Sequence, residues 1–238
     1  MFFSTHSIAP RMIVLVLLGL GLAGCGATRQ LPEAAAVVPN AEFLALYQAD
    51  KEERFPIPAS DISGIDESFL RRIVAYPTSE RPGTIVVDTR HRHLYLVMEN
   101  GQAIRYGIGV GAEGMRWSGR AQVGRKAEWP RWTPTAAMIR RDPQRNAAWA
   151  NGMPPGLENP LGPRALYLHQ DGRDTLYRIH GTNEPQTIGE AVSSGCIRML
   201  NQDIIDLYRR VPVGAQVVVL PGESEKAPLV AAKAGPLG

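Results

Sequence analysis

The 238-residue sequence contains little cysteine, with only Cys25 and Cys196. A small scaffold held together by several disulfides is therefore excluded, and no zinc-binding motif of paired cysteines is present in the sequence. Charge of one sign is also not in excess, since 26 Lys and Arg residues are interspersed with 23 Asp and Glu residues. Nucleic-acid binding needs a clustered basic face, so we expect no nucleic-acid partner.

Long apolar runs are equally scarce. The run near the N-terminus, residues 12–22, is too short to span a bilayer as a mature helix and suits the core of a signal peptide. The Leu-Ala-Gly-Cys sequence that ends at Cys25 resembles the bacterial lipobox, in which cleavage precedes a lipid-carrying cysteine. This resemblance implies a signal peptide over residues 1–24 and a periplasmic protein whose Cys25 carries a membrane lipid, with Gly26 favouring the outer membrane. The alternative is an ordinary secretory signal and an incidental Cys25.

Cys196 then has no intramolecular partner for a disulfide in an oxidising compartment, so this exported thiol needs an explanation. One explanation is a buried, inert structural cysteine. The other involves His180, which ends a predicted strand, is followed by Gly181 and precedes Cys196 by sixteen positions. An imidazole beside a thiol accepts its proton and later returns it to a leaving amine, as acyl transfer requires.

The residues around Cys196 fit that second explanation. Gly195 leaves space for a substrate beside the sulfur, and the backbone N–H groups of Gly195 and Cys196 are candidates for an oxyanion hole. Arg198 supplies a positive charge that favours the thiolate or holds a substrate carboxylate through two parallel hydrogen bonds.

The two motifs, His-Gly-Thr-Asn from His180 and Ser-Ser-Gly-Cys-Ile-Arg-Met from Ser193, resemble the signature of the L,D-transpeptidase catalytic domain family (YkuD-type). That signature is usually written His-Gly-Thr and then Ser-His-Gly-Cys, an aliphatic residue and Arg. The resemblance implies that His180 is the general base and Cys196 the nucleophile. It places the remaining motif residues on the substrate and oxyanion side: Gly181, Ser193, Ser194, Gly195 and Arg198. Ser194 departs from the usual histidine, so the hydrogen bond that this imidazole would make is either made by the serine hydroxyl or absent.

The resemblance also implies a reaction on peptidoglycan stem peptides. Cys196 would attack the carbonyl between meso-diaminopimelate and D-Ala of a tetrapeptide stem, release D-Ala and pass the acyl group to an amine, which forms a cross-link. No cofactor or metal is implied. Three alternatives remain open: transfer to an outer-membrane protein, transfer to water by an L,D-carboxypeptidase, and a non-catalytic wall-binding lipoprotein.

The strand patterns predict a mainly β, sandwich- or barrel-like catalytic domain over residues 82–221 with one or two short helices. We expect hairpins at Asn100-Gly101 and Asp171-Gly172, and a helix that Asn201 caps. On strand 175–180, alternation would place His180 on one face with Arg178 and Leu176.

Outside this domain, we expect residues 25–60 to form a tether with a short helix over Glu42–Asp50. Residues 61–81 would be a helical extension with a helix over Glu67–Ala75 that Asp66 caps, and residues 222–238 a flexible tail.

Three further features allow two interpretations each. Residues 142–163 form a long Pro- and Gly-rich stretch that is either a functional loop or disordered. His91 and His93 either face solvent together or bind a metal, although no third ligand lies nearby. The tryptophans either line a groove for an extended substrate or cover the core: Trp117, Trp129, Trp132 and Trp149.

Overall fold

A computed structural model describes residues 41–111, 117–192 and 196–221. Several predicted features lie outside the described residues: the signal peptide over residues 1–24, Cys25, the tail over residues 222–238, and the motif residues Ser193, Ser194 and Gly195. The strands of the described part are β1 (Arg72–Ala75), β2 (Ile85–Asp88), β3 (His93–Val97), β4 (Gln102–Gly107), β5 (Gly109–Gly111), β6 (Gly119–Glu128), β7 (Arg164–Gln170), β8 (Arg173–His180), β9 (Ala191–Val192), β10 (Ile197–Arg198) and β11 (Gln216–Val219).

These strands form one hydrogen-bonded sheet in the order β1-β4-β3-β2-β11-β6-β7-β8-β10-β5-β9. The hairpin between β3 and β4 turns at Asn100 and Gly101, whose φ angles are 59° and 67°. The hairpin between β7 and β8 turns at Asp171 and Gly172, with φ angles of 51° and 75°. Positive φ at both central residues is the geometry of a type I′ turn, which explains why Asn-Gly and Asp-Gly stand there. Both predicted hairpins are confirmed.

One hydrophobic core draws residues from both halves of this sheet and from the last helix. Its buried members include Ile85, Leu94, Tyr106, Val123, Leu166, Ile179, Ile197, Leu207 and Val217. Strands far apart in the sheet order therefore share one interior, so the sheet curls over its own core as a sandwich does. The prediction of a mainly β domain is confirmed.

The helices of the described residues are short: α1 (Ala41–Leu46), α2 (Ala136–Arg141), α3 (Pro143–Asn146) and α4 (Asn201–Arg210). Helix α4 buries Ile204 and Leu207 in the main core, where it packs on β7. Helix α3 forms within the stretch 142–163 for which a loop was predicted, and Asp142 caps it by accepting a hydrogen bond from the N–H of Arg145. Among the described helices, none has the length and apolar character to cross a bilayer.

Residues 41–60 were predicted to be part of a tether, and this prediction is wrong for them. Tyr47 is 1% exposed and Ile57 2% exposed. The hydroxyl of Tyr47 donates to Asp203 of α4 at 3.2 Å, and the carboxylate of Glu53 pairs with Arg164 of β7 at 2.6 Å. We call residues 41–60 the N-terminal strap. Its sparse apolar side chains suggested a solvated linker, but Tyr47 and Ile57 are buried in two small hydrophobic clusters, and Phe43 and Phe55 pack against them.

The predicted helix over Glu67–Ala75 is also wrong over most of its length. Only Glu67–Phe69 is helical, as a 3₁₀ turn in which Asp66 accepts from the N–H of Ser68 as the expected cap. Arg72–Ala75 instead forms β1, which pairs with β4 at the edge of the sheet. The unpaired edge of β4 offers backbone hydrogen bonds to the β-branched pair Ile73-Val74, and these outweigh the weak helical pattern.

Candidate active site

The candidate site lies where β8 ends. Strand β10 runs parallel to β8, with Arg198 opposite His180 and Ile197 opposite Ile179. Both isoleucines point into the core, being 2% and 0% exposed. Side chains alternate along a strand, so His180 and Arg198 share the other face, and Cys196, two residues before Arg198, joins them there. The three residues that sequence reasoning chose as base, nucleophile and arginine are thus on one face.

The side chain of Cys196 is partly exposed and forms no disulfide with another described residue. Its carbonyl accepts a hydrogen bond from the N–H of Gly111 at 3.3 Å, so β5 supports it on the side away from β8. The buried and inert cysteine, the alternative drawn from the sequence, does not fit this exposure. The oxyanion hole at Gly195 and Cys196 stays a prediction because Gly195 lies outside the described residues.

His180 is 4% exposed, and its Nδ1 lies 2.6 Å from the carbonyl oxygen of Gly181. A carbonyl only accepts hydrogen bonds, so Nδ1 carries the proton in this pair. In the neutral ring, Nε2 then keeps its lone pair and is able to accept a proton. Sequence reasoning missed this orienting group, since a backbone carbonyl leaves no signal in residue types.

Burial lowers the pKa of His180 to about 4, because an imidazolium ion would lose its hydration there. The positive charges of Arg198 and Arg178 lower it further, while the carbonyls of Gly181 and Pro160 act in the opposite direction. At neutral pH the imidazole is therefore uncharged and in its proton-accepting form.

Asn201 fixes the turn that follows His180. Its Oδ1 accepts a hydrogen bond from the N–H of Thr182 at 2.9 Å. A Cβ on Gly181 would collide with this same oxygen, and a Cβ on Gly162 would lie 2.6 Å from it. A glycine is therefore needed at position 181 because a side chain would collide there, and its φ is not positive. The predicted role of Asn201 as a helix cap is wrong, since Leu200 holds the cap position of α4.

Arg198 is 8% exposed and pairs with Glu184 at 3.3 Å. The second oxygen of Glu184 accepts from Arg145 of α3 at 2.5 Å, so this carboxylate joins the long insertion to the site. Within the described residues, Nε of Arg198 is buried without a hydrogen-bond partner. Sequence reasoning missed Glu184 and Arg145, because contacts over 39 positions have no local pattern.

On β8, the expected alternation breaks at Leu176, which has a φ of 64° and is 77% exposed. The β7–β8 pairing shifts register between Tyr167 and His169. From residue 177 onward the alternation is regular, so Arg178 and His180 share a face as predicted, but Leu176 does not extend it.

Trp129 and Trp117 both pack on hydrophobic clusters of the domain. Trp129 is 5% exposed, contacts Phe55 and donates to Glu53, so it covers the core. Trp117 is partly exposed and stacks on Tyr177 with ring centroids 4.9 Å apart.

His91 and His93 do not face solvent together. His91 is exposed and lies 2.7 Å from Asp88. The ring of His93 is half-buried, 3.0 Å from the carbonyl oxygen of Ser68. In the ranges 41–111, 117–192 and 196–221, no three His, Cys, Asp or Glu side chains are grouped so as to hold a metal ion.

The sequence model of the L,D-transpeptidase catalytic domain family (YkuD) matches residues 82–219, which is more than half of the chain. The chain belongs to this family. The predicted family is thus confirmed, and the match spans the strands that carry His180, Cys196 and Arg198.

Relatives in this family include two proteins of Escherichia coli K12. The probable L,D-transpeptidase ErfK/SrfK is 38% identical over 149 residues, which cover 60% of this chain and 46% of that protein. The probable L,D-transpeptidase YcfS is 32% identical over 192 residues, covering 79% and 58%. The chain spans about half the length of the curated relatives that it matches.

Among solved structures, a protein of Brucella melitensis described as a probable carnitine operon oxidoreductase is 49% identical. It covers 67% of this chain and 99% of its own, with a TM-score of 0.46.

Proposed function

We propose that this protein is a cysteine-dependent L,D-transpeptidase that acts on peptidoglycan stem peptides and joins two stems. The observation that supports this most directly is the placement of a partly exposed thiol, Cys196, on the same sheet face as a neutral, oriented imidazole, His180. Family membership adds the reaction type.

In the first half-reaction, Nε2 of His180 takes the thiol proton while Sγ of Cys196 attacks the carbonyl carbon between meso-diaminopimelate and D-Ala. The oxyanion forms beside the N–H groups of Gly195 and Cys196. When the carbon–nitrogen bond breaks, His180 gives its proton to the amine of D-Ala, which leaves. A thioester on Cys196 remains.

In the second half-reaction, the side-chain amine of another stem attacks the thioester carbon. His180 takes a proton from this amine and returns it to the departing sulfur, which restores the thiol. The energy of the cleaved peptide bond is kept in the thioester, so the two steps need no nucleotide.

Arg198 is suited to hold a substrate carboxylate. Its Nε lacks a partner among the described residues, and its pairing with Glu184 is long at 3.3 Å. A carboxylate that reaches the guanidinium could satisfy this buried donor and gain a charge-assisted hydrogen bond. We assign Arg198 to substrate binding on this basis.

The location that we propose is the periplasm, with a lipid on Cys25 that anchors the protein, preferentially to the outer membrane. The support is the Leu-Ala-Gly-Cys sequence after the apolar run of residues 12–22. Metabolic labelling with a clickable fatty acid tests this: Cys25→Ala should lose the label and Cys196→Ala should retain it.

The catalytic proposal is tested with tetrapeptide muropeptides and the full chain in detergent, with products followed by mass spectrometry. We expect the wild type to release D-Ala and form dimers joined through diaminopimelate. Cys196→Ala should abolish both, whereas Cys25→Ala, which removes the other cysteine, should retain both. D-Ala release without dimers would instead indicate hydrolysis or another acceptor, and absence of D-Ala release from the wild type would contradict the proposal.

A further inference from the structure

A row of three side chains leads across the sheet to Cys196. Arg125 of β6 is the register partner of Tyr167 of β7, and Tyr167 is the partner of Arg178 of β8. Ile197 of β10 pairs with Ile179 of β8 in parallel register. The residues that precede them, Cys196 and Arg178, therefore also lie side by side. Neighbours in such a row point to the same face of a sheet, so the row lies on the face that carries the thiol.

The two arginines flank the ring of Tyr167. The guanidinium carbon of Arg125 lies 3.4 Å from the ring centroid, and that of Arg178 lies 4.4 Å from it. Arg178 also donates to both carboxylate oxygens of Asp174, at 2.7 and 2.8 Å. Stacking on an aromatic ring and a bidentate ion pair both restrict side-chain rotation, so this part of the row is preorganised.

Arg125 differs from Arg178 in having no carboxylate partner. It is exposed, and across the residues that the structure describes it forms no ion pair. A guanidinium that lies over a ring uses its π face there, which leaves its in-plane N–H donors open to a ligand. Tyr167, only 9% exposed, supports it from below. The row therefore ends in a positioned, unneutralised cation with a free fork of donors.

The spacing suits a bound peptide. Adjacent strands are about 4.8 Å apart, so Arg125 lies about 14 Å from Cys196 across three strand intervals. The guanidinium of Arg125 lies over the ring of Tyr167, one strand nearer to Cys196, so about 10 Å separates it from Cys196, a distance that an extended peptide covers in about three residues. The charges of Arg178 and Arg198 also reach His180, since both lower its pKa. One extended peptide bound to this surface can therefore reach both the thiol of Cys196 and the guanidinium of Arg125.

We propose that Arg125, stacked on Tyr167 and continued by Arg178, forms an anion-binding subsite that holds a carboxylate of the stem peptide while its reacting end is at Cys196. This inference rests on the proposed function and deepens it. A stem peptide carries free carboxylates along its length, and a guanidinium fork binds a carboxylate through two parallel hydrogen bonds.

The test compares Arg125→Gln with Arg54→Gln. Arg54 is an exposed arginine that also contacts an aromatic ring, with its guanidinium carbon 5.3 Å from the centroid of Phe55, so it matches Arg125 in charge and exposure but belongs to the N-terminal strap. We expect Arg125→Gln to raise KM for a tetrapeptide stem about tenfold with kcat nearly unchanged, and Arg54→Gln to leave KM unchanged. Tyr167→Phe, which keeps the ring, should behave as the wild type, and Tyr167→Leu should resemble Arg125→Gln.

A second substrate identifies the interaction. Amidation of the isoglutamate carboxylate of the stem should raise KM for the wild type and remove the difference between wild type and Arg125→Gln. If Arg125→Gln and Arg54→Gln give equal KM on the unmodified stem, the subsite is overturned while the catalytic proposal stands. If the wild type fails to release D-Ala from either stem, the catalytic proposal itself fails. Rates of alkylation of Cys196 by iodoacetamide should be equal in all variants, and a fall in Arg125→Gln would mean a disturbed site and contradict a binding role.

Discussion

Two buried ionisable groups respond in opposite directions to the same cause. Burial disfavours charge, so it lowers the pKa of His180 to about 4 and raises the pKa of Asp203 to about 7. His180 shares a face with the partly exposed Cys196. Asp203 is 0% exposed beneath the N-terminal strap, where it accepts from Tyr47 at 3.2 Å and lies 3.6 Å from Arg71.

The difference shows that a shifted pKa acquires a catalytic meaning only through its neighbours. A neutral imidazole on the same face as a partly exposed thiol is placed to accept the proton of that thiol at a site that a substrate can reach. Asp203 meets only protein, because Tyr47 and Arg71 close over it. Arg71 continues to Asp206 at 3.0 Å, and Asp206 accepts from Tyr106 at 2.7 Å. This second cluster joins the N-terminal strap, the sheet and α4, and we assign it to stability.

The largest expected effect comes from His180→Gln. Loss of the general base should lower the rate of D-Ala release about 10³-fold, since positioned proton transfer contributes on the order of 10²–10⁴. The amide should retain the fold, so the thermal midpoint should stay within a few degrees of the wild type. Steady-state kinetics with a tetrapeptide stem measures the effect, and a fall of less than tenfold would exclude His180 as the base.

Arg71→Leu should have the opposite effect to His180→Gln: it should lower stability and leave activity nearly unchanged. Removal of the cation leaves Asp203 buried beside only a hydroxyl, so we expect a loss of about 3 kcal/mol in the free energy of unfolding. kcat in the folded protein should stay nearly unchanged. Urea unfolding measures the loss, and Arg209→Leu is a control, because its 65% exposed side chain pairs with Asp50 at only 3.9 Å. Equal losses in both variants would contradict the structural role of the cluster.

Asn201→Ala tests a residue that we expect to affect both activity and stability. Thr182 would lose its acceptor and the turn after His180 would loosen, so we expect kcat to fall about tenfold, with a cost of about 1–2 kcal/mol in stability. Asn201→Asp keeps an acceptor oxygen at the same place and should restore most of kcat. If both variants had equal kcat, a role for this hydrogen bond in positioning His180 would be ruled out.

The smallest expected effect is on the pH dependence of stability, to which His180 and Asp203 contribute with opposite signs. The lowered pKa of His180 makes its stability contribution complete above its ordinary value of 6.5, and this contribution is lost as pH falls from 6.5 to about 4. The raised pKa of Asp203 makes its contribution complete below 3.8, and this contribution is lost as pH rises to about 7.

Between pH 4 and 7 the two groups therefore oppose each other. His180→Gln should make stability fall more steeply with rising pH, and Asp203→Asn should make it rise more steeply, by at most about 1.4 kcal/mol per pH unit. Urea unfolding at half-unit pH steps measures both slopes. Slopes that change in the same direction in the two variants would contradict the assignment.

The sequence predicted the grouping of the candidate site residues better than it predicted their surroundings. That His180, Cys196 and Arg198 share one sheet face was predictable because strand alternation and two short motifs are local. Asn201 was mistaken for a cap because its partner, Thr182, lies in another segment. The β1 strand was mistaken for a helix because its hydrogen bonds go to β4, which no local pattern records. The ion pair between Glu184 and Arg145 and the packing of the N-terminal strap on α4 were missed for the same reason, because each joins segments that are distant in sequence.

The N-terminal strap also has a mechanical consequence. A pull on the chain through residue 41 acts on Tyr47, whose hydroxyl donates to Asp203 of α4, before it acts on Glu53, which pairs with Arg164. The carbonyl of Arg164 accepts a hydrogen bond from the N–H of Gly181, the residue after His180. These two contacts in series therefore resist tension before it reaches the end of β8. A protein that works while tethered would keep its geometry under strain for this reason.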